Sequence, residues 1–303
     1  MNGRTWKGVW SVVDPTRFEL AAATSLFMGL CAAAAAGPLH VGWAALTVVG
    51  ILAMDAAKNA SGEIFDFDSG DDLFVAPEDR SPFSGGKRVL VDGVLSRGEV
   101  WGIAGVGYAL AAICGAAIVL FREPRVLWLG VLGMALAFFY HAPPLKLSYR
   151  GFGELAVGLC YGPLISCGAY LVQRGEVPWR IVVAMLPTMI AMTSCVFVQE
   201  FPDFKADRQA GKRTLVVRLG RARAARLYAA MVATGTLAFL ALPILGAPTG
   251  AMLGVLGFIP GIAAARRLLA EHEVVARMID AQRWAILSFV LAAVGTGLGL
   301  LLL

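Results

Sequence analysis

Nine stretches of about 20 predominantly apolar residues fall at roughly 18–36, 41–62, 98–120, 125–141, 152–172, 179–200, 222–245, 249–268 and 281–302, and each is long enough to span a bilayer as a helix. With 58% hydrophobic and only 16% charged residues among 303, the chain is too apolar for an ordinary soluble domain. The expected fold is an all-α integral membrane protein, one domain over 1–303. Pro163, Pro187, Pro243 and Pro260 interrupt some windows, which neighbouring helices in a polytopic bundle accommodate.

Basic residues set the orientation. With the N-terminus inside, the segments before the first window and after the second, fourth, sixth and eighth carry 21 of the 26 Lys and Arg residues. The expected topology therefore has a cytoplasmic N-terminus and an outside C-terminus in a multi-pass cytoplasmic membrane protein of bacterial or archaeal type. The net charge of +5 is explained by these flanks, so nucleic acid is not an expected partner. Cys31, Cys114, Cys160, Cys167 and Cys195 lie in apolar spans without CxxC or Cys/His spacing, so they read as small core residues. Asp14 and Glu19 beside the first apolar run argue against a cleavable signal, and the first helix is expected to remain in the mature protein.

Carboxylates are costly near a bilayer, yet two acidic clusters lie at helix ends on the same predicted cytoplasmic side. One runs from Asn59 through Glu63, Asp66 and Asp68 to Asp71 and Asp72; the other carries Asp203 and Asp207, followed by Arg208, Lys212 and Arg213. Asn59, Glu63 and Asp66 share a helical stripe that Gly70 would end, and Asp68 and Asp72 form a further four-residue pair. Asp203 and Asp207 lie one turn apart, a spacing that suits a shared hard cation such as Mg2+, while the neighbouring Arg and Lys suit a phosphate. The bland alternative is that the first cluster is solvated or paired with Lys87, Arg88 and Arg97. Lys58 is expected to pair with Asp55 or Glu63. Long polar loops after the second and sixth windows, about 63–97 and 201–220, would cap a pocket together with 142–150.

The stretches Tyr140-His-Ala-Pro-Pro-Leu-Lys146 through Glu154, Arg80 through Val91, and Phe201 through Gly220 resemble the UbiA superfamily of intramembrane prenyltransferases, and within it the branch that prenylates dihydroxynaphthoate. The resemblance covers nearly the whole chain. It implies nine transmembrane helices around a central cavity with a cytoplasmic cap, and Mg2+-dependent ionisation of an allylic polyprenyl diphosphate followed by attack of an aromatic acceptor, without a redox cofactor. It places Glu63, Asp66, Asp72, Asp203 and Asp207 as metal ligands; Asp66, Asp203, Asp207 and Lys146 as catalytic; and Asn59, Tyr140, Lys146, Arg208, Lys212 and Arg213 as substrate-binding. Phe65, Phe67, Phe138, Phe139, Phe197, Phe201 and Phe204 could face a carbocation, although packing is the simpler role for each. Where members carry an Asn-Asp pair, this chain has Gly62-Glu63, and Asn59 one turn earlier could supply the amide. The departure keeps a terpene cyclase open as an alternative. A transport protein with an acid-lined ion path is disfavoured, because its acids would sit near mid-bilayer.

Overall fold

The computed structural model describes residues 3–12, 20–84 and 87–302, so Asp14, Glu19, Gly85 and Gly86 lie outside the described residues. The described residues form helices and no strand. In chain order these are α1 (Gly3–Val12), α2 (Leu20–Ala35), α3 (Val41–Ser69), α4 (Asp71–Phe74), α5 (Arg97–Phe121), α6 (Val126–Phe139), α7 (Gly153–Leu159), α8 (Ile165–Arg174), α9 (Trp179–Gln209), α10 (Leu215–Leu219), α11 (Arg221–Ala241), α12 (Phe258–Glu271) and α13 (Val275–Leu302). A π-turn at Cys160–Leu164, containing Pro163, joins α7 to α8, and a 3-10 segment at Thr249–Gly257 leads into α12.

Seven spans among the described residues are long and apolar enough to cross a membrane. The first and fourth windows form the shorter helices α2 and α6, of 16 and 14 residues. At about 1.5 Å per residue these fall short of a hydrocarbon layer of roughly 30 Å, so length alone supports seven of the nine expected spans. Val106, Ile113, Leu120, Trp128, Leu237 and Ile259 are exposed, an apolar exterior that fits lipid in place of water.

The core is built where small residues let helices approach. A Cβ on Gly299 of α13 would overlap the Gly250 carbonyl, and one on Gly257 would strike the α13 backbone at Ala292. Around these contacts α13 packs on α2, α9, α12 and the 249–257 segment, burying Phe197, Phe201, Tyr228, Phe239, Phe258 and Phe289. Against this block α3 and α5 form a closely packed pair, with Ala60, Ile64, Val100 and Ala104 in its seam.

Two helices run further than the apolar windows suggest, and this positions the acids. The second window ends near 62 but α3 continues to Ser69, so Glu63, Asp66 and Asp68 are helical. Gly70 at φ +80 stops it, as its lack of Cβ predicts. Likewise α9 continues to Gln209 through Pro202, carrying Asp203 and Asp207 on one face.

Candidate active site

The two acidic clusters meet around one lysine. Lys212 is buried just beyond the end of α9, its backbone N–H held by the Asp207 carbonyl at 2.8 Å. Its Nζ lies 3.1 Å from Asp66 Oδ1 and 4.0 Å from Asp207 Oδ1, and it donates a hydrogen bond to Asp71 Oδ2. Burial alone would push this ammonium down, but Asp66, Asp71 and Asp207 hold it well above the usual lysine range. Tyr149, in the turn after Lys146, completes the centre: its hydroxyl donates to Ser69 Oγ at 2.6 Å and lies 3.3 Å from Asp66 Oδ1. The Lys146 and Lys212 ammonium groups lie 5.0 and 5.1 Å from its ring centroid. Thr214 Oγ1 donates to Asp207 Oδ2 at 3.4 Å.

The break at Gly70 divides the Asp68/Asp72 pair. Asp68 is on the outside in a two-pronged ion pair with Arg97, the structural role weighed for loop carboxylates. Asp72 is buried, and its Oδ2 has no hydrogen-bond partner; the same is true of Asp71 Oδ1. Burial, reinforced by the charges of Asp66, Glu63 and Asp71, raises the Asp72 carboxyl to about 8, and burial likewise raises Asp71. Glu63 faces the centre's edge but spends its oxygens on backbone: Val89 and Leu90 N–H donate to Oε1 at 2.8 and 3.5 Å, and Lys87 N–H to Oε2 at 3.2 Å. It thereby ties the 87–90 segment to α3. The stretch 79–84 is tied separately, by Lys205 to Asp79 at 2.9 Å and by Gln282 of α13, which accepts from Ser81 and donates to Ser84 at 3.2 Å.

Beside the acids lies a cavity of about 270 Å3 lined by Asn59, Tyr140, His141, Gln199, Phe83 and Phe289, among others. Asn59 Nδ2 and Gln199 Oε1 are buried without partners, a spare donor and a spare acceptor on one cavity. Lys58 and Tyr161 are shared between this cavity and a smaller one of about 80 Å3. Lys58 pairs with Asp55 at 3.0 Å and donates to the Tyr161 hydroxyl at 2.9 Å, so of the two partners expected the structure selects Asp55. The smaller cavity shares Ile51, Met54, Gly133, Leu164 and Ile165 with an apolar one of about 490 Å3 between α3, α5, α6 and α8. Polar centre, mixed cavity and apolar channel thus follow one another into the bundle.

Arg208 and Arg213 are exposed at the rim, Arg213 donating its backbone N–H to the Tyr149 carbonyl at 3.0 Å. Asp203 is half-buried one turn from Asp207. The phenylalanines mainly pack: Phe65, Phe138 and Phe139 form an edge-to-face row with Trp101 and Tyr108, and Phe197 and Phe201 are fully buried. Sequence reasoning left Asp71, Tyr149 and Gln199 without roles, although Tyr149 sits inside the quoted 140–154 motif.

Among the described residues no trio of His, Cys, Asp or Glu side chains is arranged around a single ion. The donor set nevertheless fits a divalent cation: Asp66, Asp71, Asp72 and Asp207 outnumber the one lysine between them, and two buried oxygens lack partners. Mg2+ commonly takes one or two carboxylates and completes its shell with water and phosphate oxygens.

A Bacillus subtilis 1,4-dihydroxy-2-naphthoate octaprenyltransferase is 25% identical over 181 residues, 60% of this chain and 58% of that protein. A protein of the same description from Mycobacterium leprae is 33% identical over 44% of this chain and 45% of its own length. The chain thus spans about half the length of these relatives. Among solved structures, the apo UbiA homolog from Aeropyrum pernix K1 superposes with a TM-score of 0.68 at 21% identity, covering 93% of this chain and 98% of that one. The Archaeoglobus fulgidus homolog bound to GPP and Mg2+ gives 0.60 at 16% identity, over 98% of this chain and 100% of that one. The model of the UbiA prenyltransferase family matches residues 22–294, and the chain belongs to that family.

Proposed function

We propose that the protein transfers a polyprenyl group from an allylic polyprenyl diphosphate to an aromatic acceptor of the dihydroxynaphthoate type, in a Mg2+-dependent reaction. The observation that carries this reading is the convergence of Asp66, Asp71 and Asp207 on one buried centre that opens beside a cavity with two unpartnered polar groups. A bare hydrocarbon would leave that spare amide donor and acceptor unsatisfied; a phenolic ring with oxygen substituents pairs both.

Asp66, Asp71, Asp72, Asp203 and Asp207 would hold the metal, which neutralises charge on the departing diphosphate. Glu63 is assigned to the edge of this set, supporting the 87–90 segment. Lys212, with Arg208, Arg213 and Lys146 at the rim, would bind the diphosphate oxygens as the allylic C–O bond breaks and its electron pair leaves with the diphosphate. The prenyl tail would lie along the apolar channel, out of water. The acceptor would occupy the 270 Å3 cavity against Tyr140, Asn59 and Gln199, where its ring carbon bonds to the allylic carbon and its displaced proton is released. The chain would work as one domain in a cytoplasmic membrane with its N-terminus and cap inside, reached by both substrates from the cytoplasmic leaflet.

Purified protein in lipid nanodiscs, given Mg2+, a panel of polyprenyl diphosphates and dihydroxynaphthoate, tests this. A prenylated aromatic product lost in Asp203→Asn and Asp207→Asn is expected. Cyclic terpene formed without acceptor would replace the proposal with a cyclase.

A further inference from the structure

Gly62 lies one turn before Asp66 on the same face of α3, and the imidazole of His141, from the turn after α6, sits directly on it. A Cβ at position 62 would stand 2.7 Å from His141 Cε1 and 2.9 Å from Nδ1, so the ring is in place only because residue 62 has no side chain. From there His141 Nε2 lies 3.4 Å from Asp66 Oδ2, the oxygen on the far side of the carboxylate from Lys212 and Tyr149. The ring packs edge-on against Tyr140 at 4.6 Å and lines the 270 Å3 cavity with Asn59 and Gln199. One side chain therefore touches the helix backbone, the central carboxylate and the neighbouring cavity.

We infer that His141 is a positioning residue: seated in the notch at Gly62, it fixes the orientation of Asp66 and forms the partition between the acidic centre and the cavity. A carboxylate held at one oxygen can still rotate about its last bond. Contacts at both oxygens, Lys212 and Tyr149 on Oδ1 and His141 on Oδ2, remove that freedom. Groups that orient a metal-binding carboxylate are commonly worth about 10–100-fold in metal affinity or activity. The inference also accounts for position 62 itself, because a side chain there and the ring at 141 exclude each other.

The role in turnover rests on the proposed prenyl transfer, whereas the role in holding Asp66 does not, and the experiment separates them. Wild type, His141→Ala, His141→Asn, Gly62→Ala and the double variant His141→Ala/Gly62→Ala are compared in nanodiscs. Mg2+-dependent thermal shift and Mn2+ binding by electron paramagnetic resonance are measured alongside kcat and the KM for each substrate. The expected result is a 10–100-fold weaker half-saturation by metal in His141→Ala, with kcat falling in step and the acceptor KM moving less. His141→Asn, whose amide can still reach a carboxylate, should recover part of the loss. Gly62→Ala should resemble His141→Ala, and the double variant should be no worse than either single one. Unchanged metal half-saturation in His141→Ala, or multiplying losses in the double variant, would overturn the inference. Should wild type bind metal yet transfer no prenyl group, the proposed function fails while the metal series still decides the role of His141.

Discussion

Replacing Lys212 by Met removes the ammonium that lies within 4.0 Å of the Asp66, Asp71 and Asp207 carboxylates and keeps most of the side-chain volume. At an effective dielectric of about 20, a charge pair at the Lys212–Asp66 separation is worth roughly 5 kcal/mol before desolvation is counted. Breaking a buried pair by removing one partner typically costs about 3–5 kcal/mol, because the partner charge is left uncompensated. Protonation limits the loss here: Asp71 and Asp72 are already raised by burial, so at neutral pH the centre can take up a proton. The lower end, about 3 kcal/mol, is therefore expected, which for a chain this size lowers Tm by about 4–6 °C in chelator. A divalent cation that binds the same oxygens restores charge balance, and at 100 times its Kd it returns about 2.7 kcal/mol. Differential scanning fluorimetry of wild type and Lys212→Met, each with EDTA or Mg2+, measures this. Mg2+ should raise the variant's Tm by more than the wild type's while turnover in the proposed reaction stays low, since the diphosphate would lose its buried donor. A variant as stable as wild type in EDTA, or one indifferent to Mg2+, would refute the reasoning.

Asp72 gives a pH signature. Its carboxyl is raised to about 8 from an ordinary value near 4, so folding takes up a proton between those limits; the associated stability is full below about pH 4 and is lost as pH rises through 8. A cation binding there displaces that proton, so apparent Mg2+ affinity should rise by up to about tenfold per pH unit from 6 to 8 and level off above, in a titration followed by thermal shift. Asp72→Asn should flatten that slope. Gln199→Leu should raise the KM for the acceptor about 3–10-fold, the value of one hydrogen bond, and leave the diphosphate KM within twofold. Glu63→Gln, which sets an amide NH2 against the donors of residues 87–90, should cost about 1–3 kcal/mol of stability, read as faster hydrogen exchange in that segment.

The helical membrane architecture was legible from composition and window length, because a chain this apolar has few other solutions. The end of α3 was legible at Gly70, a residue that adopts a left-handed φ at little cost. What the windows misplaced was the start of the polar region: hydropathy falls at 62, but the α3 ladder continues for seven residues because Glu63, Ser61 and Asp66 find partners on other segments. The pairing of Asp203 with Asp207 needed only helical periodicity. The importance of Asp71 over Asp68 was hidden, since both are loop-like acids in sequence and only the reversal at Gly70 sends one inward to Lys212 and the other outward to Arg97. Tyr149 and Gln199 were hidden for a similar reason: their value lies in what stands opposite them, Asp66 in one case and Asn59 in the other.

Gln282 bonds to Ser81 and Ser84 across about two hundred residues of chain, and this bears on biogenesis. The segment over the cavity is synthesised early, but one of its clasps belongs to α13, the last helix described. While the intermediate helices enter the membrane, residues 87–90 are already held by Glu63 and by the Asn59 and Asp72 carbonyls, which accept from Lys87 and Arg88, but the far side of the cavity, formed by Ile286, Phe289 and Val290, does not yet exist. A nascent chain halted before α13 would thus carry both acidic clusters with an unroofed chamber. The order of synthesis thus leaves the two acidic clusters in place before the chamber wall that α13 supplies.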